Sequence, residues 1–136
     1  MQPISTILIV DDDDDDKEMF IEVVAEIDNS VDCITASNGY EALQILEETS
    51  TSPDLIFLDL NMPRMGGKQC LEAIKKNEKL AGIPVVIYTT SKIAEDKQDA
   101  TRLGATSFIT KPSSTSSLRK DLYLLFCRSK EPKVSR

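Results

Sequence analysis

The sequence has 136 residues, of which 40% are apolar and 29% are charged, so it predicts one globular domain with an apolar core and excludes wholesale disorder. Its longest apolar run, Leu122–Cys127, is too short to span a membrane, and three cysteines far apart in the sequence indicate neither a disulfide framework nor a metal knuckle. Six of the 23 acids stand together at Asp11–Asp16 and the other 17 nearly balance 16 bases, so we expect no basic face for nucleic acid or for an anionic membrane.

The first half of the chain alternates short apolar runs with amphipathic stretches. Ile7–Val10 is an apolar run rich in β-branched residues, which predicts a strand buried on both faces. Apolar residues at helical spacing over Met19–Ile27 predict a first helix, with acids at its start where the helix macrodipole favours them. Val31–Ala36 predicts a weaker second strand. The pair Asn38-Gly39 could close a hairpin, but the helical spacing over Tyr40–Glu48 favours a turn into a second helix.

The same unit recurs in the second half of the chain. Strands are predicted over Leu55–Leu58, Val85–Tyr88 and Thr106–Ile109, and helices around Cys70–Ile74, over about 92–103 and around Leu118–Leu125. The hydroxyl-rich stretch Ser113–Ser117 is short and leads directly into the last helix, so we interpret it as a loop and cap and not as a linker. Ser129–Arg136 is expected to be a frayed tail. The predicted domain therefore covers residues 1–128, and the tail covers 129–136.

Five strand–helix units with buried strands predict one three-layer α/β domain. Parallel strands need crossover connections, so the sheet should be parallel and doubly wound, with helices on both faces. Ligands of such sheets bind at the carboxyl ends of the strands. Polar residues follow four of the five strands: Asp11-Asp12, Asp59, Thr89-Thr90-Ser91 and Thr110-Lys111. The second strand ends without a strongly reactive residue, which suits an edge strand.

The polar residues at these strand ends predict a site for phosphoryl transfer. Three carboxylates (Asp11, Asp12 and Asp59) need a compensating cation if they lie together. Oxygen ligands in a chain without histidine favour a hard ion over zinc or copper, and Mg²⁺ fits best because it completes its shell with water and phosphate oxygens. The formal charges of the carboxylates, Mg²⁺ and Lys111 cancel. Forming an acyl phosphate on one carboxylate would change the formal charge of the site to about −1. The metal, the ammonium and nearby hydroxyls would stabilise that negative charge.

Four motifs, in order along the chain, resemble those of response regulator receiver domains of two-component signalling. They are Ile7–Asp12, Leu58–Gly67, Tyr88-Thr89 and Gly104–Pro112. The resemblance covers about Thr6–Phe126 and implies the flavodoxin-like strand order 2-1-3-4-5. The run Thr89–Ser91 resembles that of stand-alone receivers associated with phytochrome-type kinases.

The resemblance implies a role for each residue of the site. Asp59 would be the nucleophile that takes a phosphoryl group from a phosphohistidine on a sensor histidine kinase or a histidine phosphotransfer protein. Asp12 would bind Mg²⁺ directly, Asp11 would assist, often through water, and Asn61 would offer its backbone carbonyl. Two further residues would contact the phosphoryl oxygens: Lys111 through its ammonium and Thr89 through its hydroxyl.

The resemblance also implies a switch that carries phosphorylation to a partner surface. Phe108 stands where the family has its switch aromatic, and the Lys111-Pro112 bond is expected to be cis. The switched face would comprise helix 4, strand 5 and helix 5, and it would bind an unidentified downstream protein or a second copy of the chain. Beyond Leu118, Leu122 and Leu125, which suffice to cover the sheet, the last helix offers this face further apolar area at Tyr123, Leu124 and Phe126. Asp13–Asp16 exceed what the site needs and are interpreted as a solvated tract or a helix cap.

Three other functions fit the sequence less well. The leading alternative, a Mg²⁺-dependent phosphohydrolase of the haloacid dehalogenase type with Asp59 as nucleophile, needs an aspartate acid/base where this chain has Asn61. A DNA-binding regulator needs a further module and a basic face. A flavodoxin-like cofactor binder needs a phosphate-binding loop where this chain has Asp11–Asp16. With no apolar leader, we expect a cytoplasmic signalling phosphoacceptor and not an enzyme.

Overall fold

The structure, a computed structural model, describes residues 4–48 and 52–130, with side chains as far as 127. Ten elements alternate along the chain: β1 (Thr6–Val10), α1 (Asp14–Ile27), β2 (Asp32–Ala36), α2 (Gly39–Glu48), β3 (Leu55–Leu58), α3 (Gly67–Lys76), β4 (Val85–Thr89), α4 (Ala94–Arg102), β5 (Ser107–Thr110) and α5 (Thr115–Lys130). Every predicted element is present. The helix α1 begins in the aspartate tract, five residues before the apolar periodicity, which confirms the acids expected at its start. The helix α5 continues two residues into the expected tail, and residues 131–136 lie outside the described part.

The five strands form one parallel sheet in the order β2-β1-β3-β4-β5, which confirms the doubly wound, flavodoxin-like topology. The strand β2 lies at an edge, as expected from its unreactive end. Hydrogen bonds continue the ladders one residue past the strands: the N–H of Asp11 donates to Ala36 O at 3.0 Å, and the N–H of Asp59 donates to Val10 O at 3.0 Å. The parallel pairing therefore brings both aspartates to the same edge of the sheet.

The sheet divides the apolar core into two layers. In β1, Leu8 and Val10 pack on the side of α2, α3 and α4, whereas Ile7 and Ile9 pack on the side of α1 and α5. All four side chains are buried, which confirms the prediction of a strand covered on both faces. No helix within the described part of the chain has both the length and the apolar composition that crossing a membrane requires.

The apolar residues of α5 divide between the core and the surface. Phe126 is buried beside Leu118 and Leu122 in the layer that α1 shares, so the prediction that Phe126 adds to an outer face is wrong. The spacing explains this result, because Leu118, Leu122 and Phe126 follow one another at four-residue intervals on one helix face. Tyr123 and Leu124 are more than half exposed.

The aspartate tract begins α1 with a side-chain cap, which gives the first testable prediction. Asp13 is the N-cap residue, and its carboxylate accepts the N–H of Asp16 at 3.0 Å. We expect Asp13→Ala to lower the free energy of unfolding by about 1 kcal/mol relative to Asp15→Ala, because both remove one charge but only the first removes a cap. Urea denaturation of the two variants measures the difference, and equal stabilities would contradict the capping role.

Candidate functional site

The acidic residues that follow β1 and β3 meet at the carboxyl edge of the sheet. Asp11, Asp12 and Asp59 each offer a carboxylate oxygen, and these three oxygens lie within 4.8 Å of one another. Asp11 and Asp59 are buried, whereas Asp12 is exposed. An exposed carboxylate beside two buried ones leaves the group open to solvent on one side. These three residues could hold a hard divalent cation, since all the side-chain ligands offered are oxygens.

Lys111, which follows β5, lies among three carboxylates: Asp11 after β1, Asp16 in α1 and Asp59 after β3. Its Nζ donates to Asp11 at 2.6 Å, to Asp16 at 2.8 Å and to Asp59 at 3.3 Å. Nζ also lies 5.6 Å from the centre of the Tyr88 ring, over its face. Burial by itself would lower the pKa of Lys111, but the hydrogen bonds to Asp11 and Asp16, together with the negative charges of Asp59 and Asp11, hold that pKa above its ordinary value. Lys111 is therefore charged at neutral pH.

The Asp11 carboxylate is the least exposed of the four. Burial raises the pKa of Asp11, and the hydrogen bonds from Lys111 and from the backbone N–H of Asp13 only partly offset it. The Asp13 N–H lies 2.9 Å from Asp11 Oδ1. A buried carboxylate with a raised pKa gains stability from a proton or from a metal cation, so its surroundings are chemically suited to cation binding.

Asp16 is the site residue that sequence reasoning missed. The prediction that Asp13–Asp16 lie beyond the needs of the site is wrong at this position, because Asp16 pairs with Lys111. A signal was present in the sequence: Asp16 stands four residues before Phe20, the first fully buried residue of the α1 stripe, and therefore lies on the helix face that meets the sheet. Four carboxylates, Lys111 and a divalent cation together carry a formal charge of −1, whereas three carboxylates with the same two cations would be neutral.

Thr89 and Asn61 lie beside this cluster. Thr89 is fully buried, and its hydroxyl oxygen accepts long hydrogen bonds of 3.4 Å from the Asn61 side-chain amide and from the Ser91 N–H. The backbone N–H of Asn61 donates to Asp59 Oδ1 at 3.2 Å. Asp59 is therefore linked to Thr89 through Asn61. Phe108, on β5, is half-buried against the core layer under α2, α3 and α4.

The Lys111-Pro112 peptide bond differs from its prediction. No cis peptide bond occurs between described residues, so this bond is trans and the expected cis form is wrong. The trans form is the lower-energy isomer even before proline, and only a minority of such bonds are cis in folded proteins. Lys111 reaches the acidic cluster from this trans backbone, and its own N–H donates to Thr89 O at 2.7 Å.

Sequence comparison relates the chain to a known protein family. Residues 7–123 match the family model described as the response regulator receiver domain. Response regulator Rcp1 of Synechocystis is 33% identical over 123 residues, which cover 87% of this chain and 84% of that protein. Protein-glutamate methylesterase/protein-glutamine glutaminase 3 of Rhodospirillum rubrum is 39% identical over 114 residues, but the chain spans only 30% of the length of that relative.

Solved structures give the same relationship. The Mn²⁺-bound form of response regulator Rcp1 has a TM-score of 0.84 and 28% identity, covering 97% of this chain and 99% of that one. The phosphorylated cyanobacterial phytochrome response regulator RcpA has a TM-score of 0.83 and 30% identity, covering 90% and 91%. Among proteins similar to this chain, one is therefore described with a divalent metal and another with a phosphoryl modification.

Proposed function

The chain belongs to the response regulator receiver domain family, and on this premise we propose that it is a phosphoacceptor of two-component signalling. Asp59 takes a phosphoryl group from a phosphohistidine on a sensor histidine kinase or a histidine phosphotransfer protein. The observation that carries this proposal is the pairing of buried Asp59 with the charged Lys111 at the edge where Asp11 and Asp12 also lie. Such a group of charges suits phosphoryl transfer, which depends mainly on positioning and on charge neutralisation.

The proposed step needs no general base. An oxygen of the Asp59 carboxylate attacks phosphorus, the bond from phosphorus to the histidine nitrogen breaks, and its electron pair stays on the departing imidazole. Lys111 neutralises charge on the transferred oxygens, and the hydroxyl of Thr89 turns to donate to them. Asp11, Asp12 and Asp59, with the backbone carbonyl of Asn61, would hold a Mg²⁺ ion, which supplies positive charge that the acidic cluster lacks.

The proposed output is a change on the face made by α4, β5 and α5. The two hydrogen bonds that Thr89 accepts are both 3.4 Å long, beyond the usual range, so reorienting its hydroxyl costs little. We expect the half-buried Phe108 ring to change its rotamer when the Thr89 side chain moves toward the phosphoryl group. Exposed Tyr123 and Leu124 on α5 supply apolar area for a downstream protein or a second copy of the chain. Passing the phosphoryl group on in a phosphorelay uses the same site.

Asn61 gives the phosphohydrolase alternative no support. A carboxamide does not take up and release a proton as an aspartate does, and the Asn61 amide donates to Thr89.

The domain limit at residue 128 and the cytoplasmic location stay predictions.

Intact-mass analysis after incubation with acetyl phosphate and Mg²⁺ tests the proposal. We expect the wild type to gain one phosphoryl group, Asp59→Asn to gain none, and EDTA to prevent the gain in every sample. Asp32→Asn is the control, because it makes the same chemical change at the opposite, amino-terminal end of the sheet. The control should be modified like the wild type.

The absence of any adduct on the wild type has two explanations that a second measurement separates. A protein that binds beryllofluoride with Mg²⁺ but accumulates no phosphoryl group loses that group faster than it gains it. A protein that neither binds beryllofluoride nor accumulates a phosphoryl group contradicts the proposed function. Modification of Asp59→Asn at the wild-type level would place the acceptor elsewhere.

A further inference from the structure

Lys111 is held by the first turn of α1 as well as by the strand ends. Its Nζ lies 2.8 Å from Asp16 but 3.3 Å from Asp59, so the ammonium is closer to the helix carboxylate than to the proposed phosphoacceptor. The backbone keeps this arrangement in place: the Asp16 N–H donates to the cap residue Asp13, and the Asp13 N–H donates to Asp11. Both Asp11 and Asp16 in turn accept from Lys111, which closes the network.

Asp16 differs from the other carboxylates that contact Lys111. Among the described residues, the carboxylates close enough to share a cation are Asp11, Asp12 and Asp59. The Asp16 side chain is 34% exposed, against 3% for Asp11 and 7% for Asp59. A substitution of Asp16 therefore changes the surroundings of Lys111 without removing one of these candidate metal ligands.

Phosphorylation changes what Lys111 has to hold. An ammonium has three N–H donors, and Asp11, Asp16 and Asp59 occupy all three. Once Asp59 carries the phosphoryl group, only the donor that faced Asp59 is available to a phosphoryl oxygen, and a second contact requires Asp11 or Asp16 to give up its own. The phosphoryl group carries up to two negative charges. Asp16 competes with it for Lys111 and also repels it, and both effects act in the same direction.

We propose that Asp16 is a positioning residue that engages Lys111 in the resting protein and thereby weakens the hold of the site on a phosphoryl group at Asp59. The inference rests on the proposed phosphoacceptor function and deepens it. Neutralising Asp16 frees one donor of Lys111 and removes the repulsion. For one partly exposed ion pair we expect an affinity gain of about fivefold, which corresponds to about 1 kcal/mol.

The test is a titration with beryllofluoride, a phosphoryl analogue, at saturating Mg²⁺, followed by fluorine NMR. Asp16→Asn is expected to bind the analogue about fivefold more tightly than the wild type. Asp15→Asn is the matched control, since it removes the same charge from an exposed position in the same helical turn. It should stay within about twofold of the wild type, as should Asp16→Glu, which keeps a carboxylate.

Two further readouts separate the positioning role from a structural one. The Mg²⁺ affinity of Asp16→Asn should not exceed that of Asp15→Asn, because neither variant removes a candidate ligand and the loss of a nearby carboxylate can only weaken the attraction for a cation. Tighter binding of the analogue by Asp16→Asn therefore cannot come from tighter binding of the metal. Thermal unfolding shows whether each variant is folded under the conditions of the titration.

The outcomes distinguish failure of the inference from failure of the proposed function. Equal analogue affinities of Asp16→Asn and Asp15→Asn, in a wild type that binds beryllofluoride, would overturn the role of Asp16 and leave the phosphoacceptor function intact. Weaker binding by Asp16→Asn would also overturn it, because Asp16 would then be aiming Lys111 at the phosphoryl group. A wild type that neither binds the analogue nor takes up phosphoryl from acetyl phosphate would overturn both.

Discussion

Replacing Lys111 with methionine is expected to lower the free energy of unfolding by about 3 kcal/mol at neutral pH in the presence of EDTA. The substitution leaves Asp11, Asp16 and Asp59 facing one another without the ammonium that all three contact. Removing one partner of a buried ion pair is costly because the remaining charge stays desolvated and uncompensated. Methionine keeps most of the volume of the lysine side chain, so the loss reports the charge. Urea denaturation measures it.

Lys68→Met is the matched control for this prediction. Lys68 also contacts two carboxylates, Asp96 at 2.7 Å and Asp99 at 2.9 Å, but its side chain is 38% exposed against 9% for Lys111. Exposed ion pairs contribute little to stability, so this variant should lose clearly less. Equal losses in the free energy of unfolding of the two variants would contradict the prediction that burial makes the charge of Lys111 more important for stability than the charge of Lys68.

Mg²⁺ and pH should change the Lys111→Met result in defined directions. A cation at the acidic cluster replaces part of the missing positive charge, so Mg²⁺ should stabilise the variant more than it stabilises the wild type. Folding raises the pKa of Lys111 above the ordinary value of 10.5. Its stabilising contribution is therefore fully present at neutral pH and is lost as the pH rises through the folded-state pKa. The gap between wild type and variant should narrow in alkali.

Replacing Gly67 with alanine is expected to disturb both stability and phosphoryl uptake. A Cβ atom at this position would overlap the carbonyl oxygen of Asp59 and would lie 2.5 Å from Leu60 Cα. Both are backbone atoms of the segment that carries the proposed phosphoacceptor, so the segment or α3 has to shift. We expect a loss of about 2–3 kcal/mol in the free energy of unfolding, and phosphoryl uptake slowed by up to about 100-fold, since small displacements of reacting groups have large effects.

Gly82→Ala is the control for Gly67→Ala. Nothing lies within 4 Å of the Cβ position at Gly82, so alanine there should leave stability unchanged or raise it slightly. Initial rates of phosphorylation by acetyl phosphate and urea denaturation are measured for both variants. If Gly67→Ala matches Gly82→Ala in both measurements, the close approach of α3 to the Asp59 segment has no functional importance.

The sequence predicted those features that depend on local periodicity and on the geometry of parallel sheets. Apolar runs such as Ile7–Val10 and Leu55–Leu58 mark strands buried on both faces, and buried parallel strands require the helical crossovers that produce three layers. Because the carboxyl ends of parallel strands share one edge, Asp11, Asp59 and Lys111 could be assigned to one site from their places after the strands. The structure confirms the sheet order and brings these three residues together.

The tertiary structure alone decided the contacts that depend on how α1 and α5 lie against the sheet. Asp16 and Lys111 are 95 residues apart, and their pairing requires both the start of α1 at Asp14 and its packing on the sheet. Spacing alone places Phe126 on one helix face with Leu118 and Leu122, but only the orientation of α5 decides that this face, and not the one with Tyr123, meets the sheet. Periodicity along a chain fixes which residues share a face of an element. Which face meets which partner depends on contacts between distant elements, and those form only when the whole domain is assembled.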